Sequence, residues 1–323
     1  MGKGRKKKIV LWILGIIIFA VLSGSAYVYL QLNKINKVEI PKTDSELDIS
    51  NEASKLDSQV TNIALLGTDS RNAADAGHSD SIMILSIDKI HNKLKISSIM
   101  RDTYVNLEGH GMNIITEAYH YGGAALSVKT LNSTFDLNIK NYVTVDFDGL
   151  QNIIDSIGGI QLNIKSSEIP YINKCIDDIA KLNKVSVKHI RTGGKQQLNG
   201  AQALAYTRER ATGSGDFDRT ERQRIMLTAV IEKIKARGVT KLPSTVSTVL
   251  PYATTNMGQA SIMSLGTLIF TSNMTTIDQV RFPVDGYYQA TPINGQDPIE
   301  ADLVVLKDQI HKYIYDDQKP VAK

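Results

Sequence analysis

From Ile9 to Leu30 the chain carries no charged residue, and Lys3, Arg5, Lys6, Lys7 and Lys8 stand immediately before that run. As a helix the run would reach about 33 Å, enough to cross the hydrocarbon core of a bilayer. In lipid every backbone polar group needs an internal partner, so a single crossing segment has to be helical. A basic flank stays on the cytoplasmic side, which sends the rest of the chain outward. A small-residue patch at Ser23-Gly24-Ser25-Ala26 raises the alternative of a cleaved leader, but the apolar run continues past it to Leu30. The expected organisation is a cytoplasmic tail (1–8), a transmembrane helix (9–30), a polar stalk or linker (31–61) and an extracytoplasmic domain (62–323). That is a single-pass protein of the cell membrane.

The tail also accounts for the charge. The whole chain is +4, but without those five cations 32 positive residues face 33 negative ones. A near-neutral body argues against sequence-independent binding of nucleic acid, which needs a wide cationic surface. The one cysteine, Cys175, allows no disulfide and no thiolate metal site, and the six histidines show no ligand spacing. The outer domain must therefore be held by its core.

Its pattern changes sharply at residue 62. Asn62–Leu66, Ser81–Ile87 and Leu94–Met100 read as buried strands, with a short polar turn at Lys89–Lys93. If the three form an antiparallel meander, Asp69, Asp80 and Arg101-Asp102 fall on one edge of the sheet. Helical signals follow at Tyr119–Leu131 and at Asp148–Ile157, the latter stopped by Gly158-Gly159. Val143–Val145, Ile160–Ile164 and Val280–Pro283 read as strands, and Asp302–Ile314 as a terminal helix. Residues 165–195 look like an irregular surface excursion. Strands alternating with helices predict an α/β fold with a mixed central sheet flanked by helices.

Between Leu198 and Arg224 there are five arginines and no lysine. A guanidinium matches phosphate oxygens in a planar fork that an ammonium does not offer. In extended backbone, Arg208 and Arg210 share a face and Glu209 turns away. On the helix expected after Asp218, Arg219 and Gln223 are four apart and share a face, near the end where the helix favours an anion. Arg222 lies close to that face; Arg222 and Arg224 are expected to be solvated. The loop Ala211–Gly215 lets the two groups close on one ligand. Beside a phosphate, Asp69 and Asp80 suit Mg²⁺, which takes one or two carboxylates and completes its shell with phosphate oxygens.

In order, NIALLGTDSR, HSDSIMILSID, ISSIMRDTYV, EAYHYGG, VTVDFDGLQNIIDSIGG, LNGAQALAYTRER and GDFDRTERQR resemble the LytR-CpsA-Psr family over about residues 60–235. The resemblance implies an extracytoplasmic α/β/α sandwich that transfers a glycopolymer, such as teichoic acid or capsular polysaccharide, from a polyprenyl-pyrophosphate carrier to peptidoglycan. It implies Asp69 and Asp80 as Mg²⁺ ligands and Arg101, Arg208, Arg210, Arg219 and Gln223 as pyrophosphate ligands. It also implies an apolar pocket for the prenyl chain, with no lining assigned. Where the family often carries Lys-Ile-Asn, this chain has Ile114-Ile115-Thr116. Arg101, Asp102, Arg208 and Arg210 are the expected catalytic set, with Asp102 orienting or deprotonating the acceptor hydroxyl. Two readings compete: a membrane-tethered regulator or transcriptional attenuator, and a non-catalytic polyprenyl-phosphate binding module.

Overall fold

The computed structural model describes residues 36–70, 77–272, 274, 276–293 and 297–323. The basic tail, the membrane span expected at 9–30 and the first residues of the linker lie outside the described residues. Among the described residues no helix is long and apolar enough to cross a membrane.

In chain order the elements are β1 (Asn36–Lys37), α1 (Asn51–Ser54), β2 (Val60–Thr68), β3 (Ser79–Asp88), β4 (Lys93–Ile99), β5 (Tyr104–Leu107), β6 (Gly111–Ile114), α2 (Glu117–Phe135), β7 (Asn141–Asp146), α3 (Phe147–Ser156) and β8 (Ile160–Ile164). They continue with α4 (Ile169–Asn183), β9 (Gly194–Leu198), α5 (Gly200–Arg208), α6 (Asp216–Ala236), α7 (Leu242–Val249), β10 (Thr254–Thr255), α8 (Gln259–Thr271), β11 (Thr276–Phe282), β12 (Tyr288–Ala290), β13 (Ile299–Ala301) and α9 (Leu303–Tyr315). The main sheet runs β1-β10-β7-β2-β3-β4-β11. Its centre is the meander read from the sequence: β2 pairs antiparallel with β3, and β3 with β4. The mixed character comes from β7, parallel to β2, and β11, parallel to β4.

Alternation along each strand sends side chains to two faces. Ala64, Leu66, Ile82 and Ile84 pack with Val128, Leu131 and Phe135 of α2 and Leu306 and Ile310 of α9. Ile63, Ile87 and Leu94 face the other way, against Ile231 of α6 and Ile262 and Leu265 of α8. A separate core joins α3 to α6 with the antiparallel β8–β9 pair. The expected stop at Gly158-Gly159 is there: both glycines take positive φ, and their amides close on Asp155 and Ile154 carbonyls at 2.9 and 2.8 Å.

Four expectations need correction. Part of the linker belongs to the domain, because Ile40, Leu47, Ile49 and Ala53 are buried in the α2/α9 core. The excursion at 165–195 contains α4, whose Ile172, Ile176 and Ile179 form a buried stripe at helical spacing. Arg208 closes helix α5 instead of lying in extended backbone; the extended backbone begins at Glu209. Finally, Arg222 and Arg224 are buried, not solvated.

Candidate active site

Three strand ends and one helix start converge at a single edge of the sheet. Thr68 pairs with Ser79 across a register shift at Gly67, and Ile82 pairs with Ile99. Asp69, Asp80 and Arg101 are thereby brought together, as the meander requires. Gly67 is obligatory at the shift, since a Cβ there would sit 2.9 Å from the Ser81 Cβ. The Asp69 carboxylate is held by the His78 amide at 2.7 Å.

Asp80 is the hub. Its Oδ1 accepts from Arg101 Nη1, and its Oδ2 lies 3.8 Å from Arg219 and 3.9 Å from Arg210. Arg219 is 3% exposed and pinned to Asp216 at 2.8 Å, yet its Nε is buried with no hydrogen-bond partner among the described residues. A buried guanidinium N–H without a protein partner, beside other arginines, is a donor that an anionic group could satisfy. Asp216, the first residue of α6, which carried no signal of its own in the sequence, also faces Arg210 at 3.8 Å. Burial pushes the Asp216 carboxyl above its usual range, although Arg210 and Arg101 pull the other way. Asp102 is raised too, again by burial first and against the pull of Arg101, whose Nε lies 3.3 Å away.

The arginine stretch divides its labour. Arg208, Arg210, Arg219 and Gln223 all line one cavity. Arg208 reaches it from the end of α5, with its guanidinium 4.9 Å from the Phe147 ring centroid, a contact the sequence did not suggest. Arg222 points elsewhere: it bridges Glu168 at 3.1 Å and Glu209 at 2.8 Å, and donates to Thr212 Oγ1. Glu209 does turn from the cavity, as expected, and serves as Arg222's partner.

The cavity holds about 520 Å³. Asp69, Asp80 and the arginines stand at one end. Behind them the wall is apolar: Leu65, Met83 and Val145 from the sheet, Leu150 from α3, and Met226 and Val230 from α6. A lining of this kind, with charge only at one end, suits an amphiphile with an anionic head. A second cavity of about 430 Å³ shares only Asp69 and Asp80 with the first, and takes in Arg101, Asp102, His78 and Glu117. The sites expected in the sequence are therefore split: Arg101 and Asp102 border the second cavity, the other arginines the first. No third His, Cys, Asp or Glu joins the carboxylates as a metal cage among the described residues.

An arginine and carboxylate cluster at the head of a largely apolar cavity, on the end of a mixed α/β sheet, defines the class of site. The chain belongs to the LytR_cpsA_psr family, whose model matches residues 23–309. It is similar to the polyisoprenyl-teichoic acid–peptidoglycan teichoic acid transferase TagU of Bacillus mycoides, 35% identical over 235 residues, 71% of this chain and 72% of that protein. It is also similar to the regulatory protein MsrR of Staphylococcus aureus, 31% identical over 72% of this chain and 67% of that one. Among solved structures, TagV of B. subtilis superimposes with a TM-score of 0.62 at 26% identity, covering 81% of this chain and 99% of that one. TagT bound to LI-WTA gives 0.61 at 25% identity, over 79% and 91%.

Proposed function

We propose that this chain is a glycopolymer phosphotransferase: it takes a teichoic acid or capsule-type polymer from a polyprenyl-pyrophosphate carrier and attaches it to a peptidoglycan hydroxyl. One observation carries the reading. Arg208, Arg210 and Arg219 line the charged end of a cavity whose remaining wall is largely apolar, and Arg101 reaches the shared Asp80 from the neighbouring cavity. That arrangement fits a pyrophosphate head on a prenyl tail, and the name of TagU and the ligand of TagT point the same way.

The acceptor hydroxyl attacks the phosphorus bearing the glycopolymer. A new oxygen–phosphorus bond forms, the bridging oxygen–phosphorus bond breaks, and polyprenyl phosphate leaves. Asp102 accepts the hydroxyl proton; its raised carboxyl pKa brings it closer to the range where a general base is effective. Arg101, Arg208, Arg210 and Arg219 hold the pyrophosphate oxygens, Gln223 adds an amide donor, and positioning with charge neutralisation supplies most of the rate. Asp69 and Asp80, two carboxylates at the shared end of both cavities, would hold Mg²⁺, an ion that commonly takes one or two carboxylates together with phosphate oxygens. Bound there, Mg²⁺ would neutralise charge on the pyrophosphate. The uncharged run 9–30 supports a membrane anchor that keeps the cavity near its lipid donor.

The test is cleavage of a polyprenyl-pyrophosphate glycan by the full chain in detergent. Arg210→Ala should cut turnover about 100-fold or more and chelation of divalent cations should do the same. Unchanged turnover in Arg210→Ala would remove the site assignment. The regulatory reading would gain from salt-dependent binding of DNA by the same protein.

A further inference from the structure

We infer that four rings in mutual contact, His78, His120, Tyr121 and His110, lead into the second cavity and form the platform on which the acceptor glycan is held. The inference rests on the transferase reading above and adds where the second substrate sits. The rings form a continuous ladder. His78 and His120 stack with centroids 4.8 Å apart and planes 3° from parallel. His120 meets Tyr121 edge-on at 5.5 Å, and Tyr121 stacks on His110 at 4.1 Å and 4°. Tyr121 is 44% exposed, and His110 and His120 are exposed as well. The ladder draws on three segments: His78 stands just ahead of β3, the β5–β6 turn carries His110, and the start of α2 carries His120 and Tyr121. Helix α2 breaks directly after Tyr121, at Gly122 and Gly123, whose backbones are non-helical.

The inner end of the ladder is the polar cavity. His78 lines it and pairs with Glu117 at 3.2 Å, and Asp102 lies on the same wall. A pyranose has an apolar C–H face and a rim of hydroxyls. Exposed ring faces accept the first and carboxylates accept from the second. Position selects the acceptor over the donor. The apolar cavity lies on the α6 side of the sheet end, and the polar one on the side of β6 and α2. In-line displacement needs the attacking oxygen opposite the leaving phosphate. With the prenyl phosphate leaving through the apolar cavity, the attacking sugar enters past the rings.

Full-length protein in detergent, titrated with chitotetraose as a neutral amino-sugar probe and followed by calorimetry, tests this. Tyr121→Ala should weaken probe binding about tenfold and Tyr121→Phe should restore it, since a lost aromatic contact is of that order. His110→Ala, at the exposed hairpin turn, provides an independent arm with the same direction. In transfer assays the acceptor KM should rise about fivefold in Tyr121→Ala, with kcat at saturating acceptor and the donor KM close to wild type. Probe affinity indifferent to both substitutions overturns the platform. A donor KM that rises as much as the acceptor KM overturns it too, by giving the rings to the donor's glycan. Absence of donor cleavage by the wild-type chain would remove the transferase reading and the acceptor role with it. Cleavage intact without Tyr121-dependent probe binding removes the platform alone.

Discussion

Arg210 and Arg222 sit twelve positions apart in one arginine-rich stretch and answer to opposite demands. Arg210 is 47% exposed, with weak ties to Asp80 and Asp216, so its charge is available to a ligand. Arg222 is buried between Glu168 and Glu209 and is a strut. Removing one member of a buried ionic group strands the others, at a cost of about 3–5 kcal/mol. Arg222→Ala is therefore expected to lower the denaturation midpoint strongly, whereas Arg210→Ala should cut turnover about 100-fold or more with an unchanged melt; parallel calorimetry and activity assays separate them. Asp102 gives a second residue-level expectation. Burial, outweighing Arg101, raises its carboxyl, so the acidic limb of the rate profile should fall above the ordinary carboxylate range. Below that limb the base is protonated and the rate declines. Asp102→Asn should remove the limb along with most of the rate, while a limb that persists in the variant would assign it to another group.

Strand β4 shows what hydrophobic pattern leaves unsaid. Lys95 was legible as part of a buried strand, but not as a wholly buried charge. It bonds Asp88 at 2.6 Å and the Ile314 carbonyl at 2.9 Å, with Asp317 at 3.2 Å. This ties the end of α9 to the sheet. Burial works against the Asp88 carboxylate, but hydrogen bonds from Lys95 and from His91 outweigh it and hold its pKa below the ordinary 3.8. A lowered folded-state pKa contributes stability above the unfolded value, and that contribution is lost as pH falls through the folded one. Lys95→Met should cost about 3–5 kcal/mol, and adding Asp88→Leu should recover part of it; a strictly additive double variant would refute the coupling. The same limit explains what the sequence showed of the fold. The β2–β4 meander was readable because continuous apolar runs with short turns leave few alternatives. Helix α4 was missed because its three isoleucines are diluted by polar neighbours, although their spacing was present. The linker residues Ile40, Leu47 and Ile49 are too sparse to show a period, and they are buried only because α2 and α9 offer a surface. At the site, meander topology alone placed Asp69, Asp80 and Arg101 together. The roles of Asp216, Phe147 and Arg222 depend on how α5 and α6 fold back, which no local pattern encodes.

At the scale of the whole molecule, the cavity exists because two cores meet without merging. One face of the sheet packs on α6 and α8, while α3, α4, α5 and α6 build a core of their own with β8 and β9. Leu65, Met83 and Val145 on the sheet side face Leu150 and Met226 across the gap, so apolar surface remains uncovered inside the domain. Uncovered apolar area of this kind loses about 25 cal/mol per Å², which an apolar ligand recovers on entry. A side chain that fills the gap should therefore leave folding nearly untouched and compete with the ligand. Val145→Trp is the substitution to make, because β7 is clamped between β2 and β10 and cannot shift away. Its denaturation midpoint is expected within about 1 kcal/mol of wild type, as bulk added to an existing void avoids the overpacking penalty. Turnover of a long-chain polyprenyl donor should fall about tenfold or more, while a donor with only two isoprene units keeps most of its rate. Each buried CH₂ lost from the tail is worth about 0.8 kcal/mol, so excluding even a few of them accounts for the difference. Equal losses with both donors would mean that the arginine clamp had been disturbed, and that the cavity does not house the chain.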